Sequence, residues 1–451
     1  MSQQRQLIIS VSGLRGIVGG GLDPTVAIRY AAAFVAGLPP GPIVVTRDGR
    51  GTGQMLAAAV HCAVAALGRE VLDAQIAATP TTGVLVRQYR AAGGMQISAS
   101  HNPPEYNGLK LFSAEGRVIS AAAGQGVLDR YQAGEPAWVA HHAVGRTTRI
   151  ANTVVEHQRL VLATVDVQRI RKRRFRVLLD SNHGAGSLLG RPLLETLGCE
   201  VTVVGESPDG RFSHPAEPTE ENLAGMRAQV TAAGADVGFC QDPDADRLAL
   251  IDETGRYVGE EYTLALCLDH VLQQRRGPIV TNCSTSRMSE DLAIASGVPF
   301  FRSAVGEANV TGAMLEHAAM FGGEGNGGPI DPRVGYVRDS FVGMALILDA
   351  LAARGLQLSQ WADALPRYAM CKTKFTLDPP RTAAVLDALQ ARFSDAQADR
   401  LDGLRLDWPG KWLLVRASNT EPIVRAIAEA PAQDEAERLC AEAGRVIAAS
   451  T

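Results

Sequence analysis

The stretch "GPIVVTRDGRGTGQMLAAAVHCAVAALGREVLDA" (residues 41–74) indicates the fold. A short apolar run (41–46) precedes an Ala-rich segment of helical length (53–68), and a second apolar run follows (70–74). Strands that alternate with helices in this way form parallel sheets with helices packed on both faces. This part of the chain is therefore predicted to be α/β.

The same alternation returns in two further blocks, and the last part of the chain differs. Strand-like and helix-like runs alternate over 176–242 and again over 260–355. The strand-like runs at 368–378 and 411–418 lie on either side of one helix-like segment, 381–393. We predict four domains. Residues 1–150, 151–253 and 254–366 would have mixed, mostly parallel α/β/α sheets, and 367–451 would be α+β.

The composition is typical of a soluble α/β enzyme, with 46% hydrophobic residues, 46 glycines and only 5% aromatic residues. The 44 basic and 48 acidic residues nearly balance, so we expect neither a nucleic-acid partner nor a membrane partner. The seven cysteines are scattered without C-x-x-C pairs. Because the start of the sequence also lacks a secretion-type apolar segment, we expect a reduced, cytoplasmic protein.

Three carboxylates stand close together in "GFCQDPDADRLALID" (238–252). Asp242, Asp244 and Asp246 alternate with other residues between two apolar runs. Carboxylates this close repel one another, and a hard cation such as Mg²⁺ relieves the repulsion. A calcium loop of the EF-hand type is disfavoured, because Arg247 stands where such a loop needs glycine. A solvated acidic turn is the simpler alternative.

The segment "QISASHNPPEYNGLKLF" (96–112) places Ser100 and His101 where a strand-like run meets a loop. Pro103 and Pro104 end regular strand pairing there. Reactive side chains are common at such junctions. An ordinary loop serine beside a surface histidine explains this segment equally simply.

Two further loops have residues suited to a sugar phosphate. "FGGEGNGG" (321–328) offers Glu324 and Asn326 to sugar hydroxyls among five glycines, although a flexible turn would look the same. "VRASNTEPIVR" (415–425) combines guanidinium groups with short hydroxyl and amide donors, which suits a phosphate dianion. The residues that would bind the phosphate are Arg416, Ser418, Asn419, Thr420 and Arg425. A loop capped by its own hydroxyls is the alternative.

Arginines beside glycines form the last feature. "VSGLRG" (11–16) contains Arg15, and "TRDGRGTG" (46–53) contains Arg47 and Arg50. Either set is also consistent with ordinary surface arginines.

Taken in order, these motifs resemble those of the α-D-phosphohexomutase family along nearly the whole chain. The catalytic loop T-A-S-H-N-P matches 98–103, and D-x-D-x-D-R matches 242–247. The sugar loop G-E-x-S-G matches 323–327 with Asn326 in place of serine. The phosphate loop R-x-S-G-T-E-P matches 416–422 with Asn419 in place of glycine. The resemblance implies four domains in a heart-shaped arrangement.

The resemblance also implies a function, an isomerase that interconverts hexose 6-phosphates and hexose 1-phosphates. Ser100 would be a phosphoserine that binds Mg²⁺ together with the three aspartates, and a hexose bisphosphate would prime it. Further catalytic residues would be Arg15, His101, Lys110 and Arg247. The substrate would be a hexose phosphate, and the protein a monomer or homodimer. Phosphoglucosamine mutase is the main hypothesis, a phosphomannomutase/phosphoglucomutase of broad specificity the alternative, and a metal-dependent sugar phosphatase a distant one.

Overall fold

The computed structural model describes residues 7–10, 13–134, 137–377, 379–417 and 423–449. Within them the chain forms four sheets, one in each of four domains. The predicted four-domain architecture is therefore confirmed, with mixed sheets in the first three domains and an antiparallel sheet in the last. The boundaries near 150, 253 and 366 stay a prediction.

The first domain is a seven-stranded sheet in the order β1-β2-β6-β5-β3-β4-β7. The strands from β5 to β7 in this order pair in parallel, and those from β1 to β5 pair antiparallel. Its elements are β1 Leu7–Ser10, β2 Gly13–Ile17, α1 Pro24–Val35, β3 Ile43–Arg47, α2 Gly53–Ala66, β4 Val71–Ile76, α3 Thr79–Gln88, β5 Gly93–Ile97, β6 Tyr106–Ser113, α4 Ala121–Ala133 and β7 Thr147–Arg149. A one-turn 3₁₀ helix, His141–Ala143, precedes β7.

The second and third domains each have a four-stranded sheet, ordered β11-β10-β8-β9 and β13-β12-β14-β15. One hydrophobic core extends through both domains, so their helices pack against each other. The second domain comprises α5 Val155–Leu162, α6 Val167–Arg173, β8 Arg176–Asp180, α7 Ser187–Thr196, β9 Glu200–Val204, α8 Ala224–Ala232, β10 Val237–Gln241 and β11 Leu248–Asp252. The third comprises α9 Glu260–Gln274, β12 Ile279–Asn282, α10 Met288–Ala295, β13 Phe300–Ser303, α11 Glu307–Glu316, β14 Phe321–Glu324, β15 Gly328–Ile330, α12 Ser340–Arg354 and α13 Leu358–Asp363.

The C-terminal domain has a separate core beneath an antiparallel sheet ordered β16-β20-β19-β18-β17. Its elements are β16 Ala369–Thr376, the 3₁₀ helix Pro379–Arg381, α14 Thr382–Arg392, β17 Gln397–Asp399, β18 Leu404–Trp408, β19 Lys411–Ala417, β20 Ile423–Ala430 and α15 Gln433–Ala449. In the described ranges, no helix is both long and apolar enough to cross a membrane.

Local sequence explains where the long helices begin. Asp23 caps α1 by accepting a hydrogen bond from Val26 N, and Pro24 occupies the first turn. Asp339 caps α12 in the same way, and Gly355 ends that helix with a left-handed φ of 67°. The caps thus fix the first residues of α1 and α12.

Candidate active site

Ser100 lies in the loop after β5 and is buried, with 4% of its surface exposed. Its φ of 49° is a left-handed conformation that costs a non-glycine residue energy, and such strain is concentrated at functional sites. The backbone is held there because Ser100 N donates to Ser98 Oγ at 2.8 Å. In this position Ser100 Oγ donates to Asp242 Oδ2 at 2.7 Å, across the boundary between the first two domains.

A buried arginine fixes the backbone of this loop. Arg50 is 1% exposed, and its guanidinium donates to four backbone carbonyl oxygens of the loop, those of Ser100, Asn102, Pro103 and Tyr106. Its Nε donates to Asp48 Oδ2 at 3.0 Å, so the buried charge is paired. The surface alternative is therefore wrong for Arg50, because its side chain is buried and its charge is paired with buried Asp48.

Removing this arginine should destabilise the fold. We expect Arg50→Met to lower the free energy of unfolding by about 3–5 kcal/mol, because Asp48 would be left as an unpaired buried charge. Urea unfolding followed by tryptophan fluorescence measures the loss. Arg47→Met is the matched control, since Arg47 is only half-buried and donates at 3.4 Å to one carbonyl. An equal change in both variants would contradict this structural role.

Three aspartates lie in the turn between β10 and β11, residues 242–247, which is called the metal turn after its predicted ligand. They are Asp242, Asp244 and Asp246, and all three are fully buried. One carboxylate oxygen from each lies within 4.8 Å of the others. The turn is tight because Ala245 adopts a left-handed φ of 57°. Oδ1 of Asp244 and Oδ1 of Asp246 are buried without a hydrogen-bond partner in the described part of the chain. Unpaired carboxylate oxygens are the ligands of a hard cation, so this triad fits a metal ion.

The other oxygens of the triad are held by neighbouring side chains. Thr79 Oγ1 donates to Asp244 Oδ2 at 2.5 Å. Lys110 Nζ lies 3.3 Å from the same oxygen and 2.8 Å from Asp246 Oδ2. Arg338 Nη2 donates to Asp246 Oδ2 at 2.6 Å. Among the described residues, these contacts leave Oδ1 of Asp244 and Oδ1 of Asp246 as unpaired oxygens of the triad.

Burial and neighbouring charges shift the pKa values of Asp242 and Asp246 in opposite directions. Burial, followed by repulsion from Asp244 and Asp246, raises the pKa of Asp242 well above its usual value. Burial also opposes ionisation of Asp246, but the charges of Arg338 and then Lys110 outweigh it and lower the pKa of Asp246. A bound cation would favour the ionised form of all three carboxylates.

The remaining predicted catalytic residues surround Ser100. His101 Nδ1 lies 3.3 Å from Ser100 Oγ, and burial, then the charges of Arg247 and Arg15, lower the pKa of His101 well below its usual value. Arg15 Nη1 donates to Asn102 Oδ1 at 2.8 Å. A cavity of about 190 Å³ is lined by Ser100, Arg15 and Lys110. Its size and positive charge suit a phosphoryl group.

Arg247 connects the metal turn to the rest of the second domain. Its backbone N donates to Asp242 Oδ1 at 3.1 Å, and its guanidinium Nη1 lies 3.4 Å from Glu217 Oε1. Arg247 Nε is buried with no hydrogen-bond partner that the structure describes.

A larger cavity of about 430 Å³ lies between the third and fourth domains. Both predicted sugar-loop residues line it, as do Arg416 and Arg425 of the C-terminal domain. Its described lining is Glu261, Asn282, Ser284, Val305, Glu324, Gly325, Asn326, Lys372, Thr373, Lys374, Arg416, Arg425 and Ile427. Ser418, Asn419 and Thr420, which were predicted to bind phosphate, lie outside the described residues.

One buried ion-pair network includes Lys110 of the smaller cavity and Glu324 of the larger one. Arg338 contacts Asp246 of the metal turn and also donates to Glu324 Oε2 at 2.8 Å. Leu248 N donates to the carbonyl oxygen of Gly327 at 2.9 Å, so β11 is bonded directly to the sugar loop. The serine loop, the metal turn and the sugar loop are thus linked by direct contacts.

Comparisons with known proteins identify the family. Sequence models of phosphoglucomutase/phosphomannomutase match alpha/beta/alpha domain I at residues 6–137, domain II at 156–255, domain III at 260–368 and the C-terminal domain at 373–445. The chain belongs to the phosphoglucomutase/phosphomannomutase family. The resemblance to the phosphohexomutases is therefore confirmed, and the protein is an isomerase of that family.

Individual phosphohexomutases match the chain over nearly its full length. It is 37% identical over 432 residues to the phosphoglucomutase/phosphomannomutase of Thermococcus kodakarensis, covering 94% of both chains. It is 31% identical over 441 residues to a Pyrococcus horikoshii protein named "Probable phosphoglucosamine mutase", covering 97% of this chain and 96% of that one. The crystal structure of a family member from Burkholderia thailandensis superimposes with a TM-score of 0.83 at 26% identity, covering 98% and 97% of the two chains.

The candidate site also contains residues that the sequence motifs did not indicate. Arg338, Thr79 and Glu261 lie outside the motifs described above. Glu261 had one available signal, since it stands in an acidic pair at the start of a helix. Arg338 had none, because its partner Asp246 is 92 positions away.

Proposed function

We propose that Ser100 carries a phosphoryl group and exchanges it with a hexose phosphate. The observation that supports this most strongly is the 2.7 Å hydrogen bond from Ser100 Oγ to Asp242, within the buried carboxylate triad. A phosphate ester on Ser100 would place further negative charge beside Asp242. That arrangement needs a cation, and the unpaired oxygens of Asp244 and Asp246 are suited to holding one.

Mg²⁺ is the metal we propose for this site, with Asp242, Asp244, Asp246 and the phosphorylated Ser100 as ligands. When bound, Mg²⁺ would neutralise charge on the phosphoryl oxygens. The protein's own groups supply the rest of the positive environment. Lys110 and Arg15 line the small cavity at Ser100, His101 adjoins its hydroxyl, and Arg247 borders the metal turn.

The reaction we propose has two matched transfers. A sugar hydroxyl attacks the phosphorus of phosphorylated Ser100 and gives its proton to a base. The bond from phosphorus to Ser100 Oγ breaks, and Ser100 Oγ takes up a proton to become a hydroxyl again. The hexose bisphosphate then turns round and returns its other phosphate to Ser100. A hexose bisphosphate would also load the resting serine, which makes it the priming activator.

The non-reacting phosphate would bind at the C-terminal side of the large cavity. Arg416 and Arg425 line that side with Lys372 and Lys374. Ser418, Asn419 and Thr420 would complete the phosphate site by their short donors. Asn326 and Glu324 would adjoin the sugar ring between the two phosphates.

We propose glucosamine 6-phosphate as the preferred substrate, so that the protein acts as a phosphoglucosamine mutase. Relatives carrying that name match along 97% of the chain at about 30% identity. A broad phosphomannomutase/phosphoglucomutase is the second candidate, favoured by the relative that is 37% identical.

Side-by-side turnover of the 6-phosphates of glucosamine, glucose and mannose tests the proposal, with ³¹P NMR to follow products. We expect each accepted substrate to give its 1-phosphate, glucosamine 6-phosphate with the highest kcat/KM. Release of inorganic phosphate as the main product would instead indicate a phosphatase. Higher kcat/KM for mannose or glucose 6-phosphate would favour the second candidate.

Arg416 gives a separate test of the phosphate site. Arg416→Ala should raise KM about tenfold to a hundredfold for every hexose phosphate, because a charge-assisted bond to the shared phosphate is lost. Arg416 Nε also lies 2.9 Å from Asp402 Oδ2, so the variant needs a stability measurement alongside the kinetics. Arg400→Ala, a solvent-facing arginine of the same domain, is the control. A lower melting temperature with unchanged KM would contradict the phosphate assignment.

A further inference from the structure

The large cavity contains a carboxylate that no part of the proposed phosphoryl transfer uses. Glu261 lies in the first turn of α9 and lines the cavity beside Asn326 and Gly325. Its Oε2 accepts a hydrogen bond from Ser286 N at 3.0 Å, which fixes the position of the side chain. A fixed carboxylate at a sugar site is a recognition group for a hydrogen-bond donor on the ligand.

The sugar loop is shaped to leave room for this carboxylate. A Cβ added to Gly325 would overlap the carboxylate of Glu261. Gly325 N also donates to Thr285 Oγ1 at 3.0 Å, so the loop backbone is held in place. Any side chain at position 325 would therefore have to displace Glu261 from the cavity wall.

The neighbouring acceptors differ in whether they are still available to a ligand. Glu324 is engaged at both oxygens, because Oε1 accepts from Asn282 Nδ2 at 2.6 Å and Oε2 accepts from Arg338 at 2.8 Å. Asn326 Oδ1, in contrast, is buried and has no hydrogen-bond partner within the described ranges. Glu261 and Asn326 both line the cavity, and we take them as the two acceptors for a ligand.

A ligand group that satisfies both acceptors must donate more than one hydrogen bond. A sugar hydroxyl donates once, whereas an ammonium group donates three times and also pairs with a carboxylate charge. We propose that Glu261 determines sugar specificity by binding the ammonium group of a hexosamine phosphate, with Asn326 Oδ1 as a second acceptor. This inference rests on the proposed mutase function and names the residue that would select its substrate.

The charges around Glu261 are compatible with a cationic ligand. Burial raises the pKa of Glu261 to about 7, and the ammonium of Lys372 opposes that rise. Lys372 has an exposed side chain, so water screens it and it stays available to the substrate phosphate. A ligand ammonium beside Glu261 would favour the charged carboxylate over the neutral acid.

The test compares two substrates that differ at one ring position. In Glu261→Gln, the ratio of kcat/KM for glucosamine 6-phosphate to that for glucose 6-phosphate should fall about tenfold to a hundredfold, because a charged pair becomes a neutral contact. Gly325→Ala should lower the same ratio by pushing Glu261 aside. Glu316→Gln, an exposed substitution in the same domain, is the control and should leave the ratio unchanged.

Two results separate this inference from the proposed function. If Glu261→Gln lowered kcat/KM for both substrates by the same factor, the mutase would stand and the specificity role would be overturned. If the wild type isomerised neither sugar phosphate, the proposed function would fail. In that case, calorimetric titration with the two sugar phosphates would still test the role of Glu261. Equal affinities of wild type and Glu261→Gln for glucosamine 6-phosphate would overturn that role.

Discussion

Ser100→Ala is expected to lower mutase turnover at least about a thousandfold, because the variant cannot carry the transferred phosphoryl group. The fold should persist. The alanine keeps the backbone bond to Ser98 and the four carbonyl contacts of Arg50, and it loses the hydroxyl contacts with Asp242 and His101. A coupled assay of hexose 1-phosphate formation measures the loss, and circular dichroism reports the fold.

Ser120→Ala is the matched control for this prediction. Ser120 is another serine of the first domain, but its Oγ caps α4 by accepting from Ala123 N at 3.3 Å. Losing that cap should cost about 1 kcal/mol of stability and leave turnover near the wild-type value. Turnover of Ser100→Ala within tenfold of wild type would remove Ser100 from the mechanism.

Asp244→Ala is expected to have the second largest effect, through the metal. The variant loses one of the three clustered carboxylates. With it goes Asp244 Oδ1, a buried oxygen without a hydrogen-bond partner in the described part of the chain. We expect the affinity for Mg²⁺ to fall at least about a hundredfold, together with turnover. Isothermal titration with Mg²⁺ measures the binding directly and does not depend on activity.

The control for the metal site is an aspartate on the surface. Asp387→Ala changes the same side chain in the C-terminal domain, where 72% of it is exposed, and should leave Mg²⁺ binding unchanged. Full turnover of the wild type after dialysis against EDTA would show that the triad is not a required metal site.

The sequence predicted the fold well because its signals are local. The segment 53–68 was interpreted as one helix, and α2 spans Gly53–Ala66. The α/β alternation likewise placed β3, α2 and β4 correctly, since strands and helices differ in their apolar spacing. Strand direction was harder to predict, because the antiparallel pairing of β10 with β11 depends on the six-residue turn 242–247, which was interpreted as a metal loop or a solvated acidic turn.

The contacts that assemble the site were harder to predict from the sequence. An ordinary surface position was left open for Arg50, because its carbonyl partners become neighbours only after the first sheet has formed. Arg338 joins Asp246 to Glu324, and neither partner is close to it along the chain. Glu324 as a sugar-binding residue stays a prediction, and its hydrogen bonds with Asn282 and Arg338 are contacts that a sequence motif cannot reveal.

Phosphopeptide mapping tests the central claim most directly. Protein first treated with a phosphatase would be incubated with glucose 1,6-bisphosphate and Mg²⁺, digested, and analysed by tandem mass spectrometry. We predict one phosphate per chain, located on Ser100, and its transfer to added hexose 6-phosphate with recovery of the unmodified peptide. An unmodified Ser100 in protein that is turning over substrate, or a phosphate located on another residue, would contradict the account.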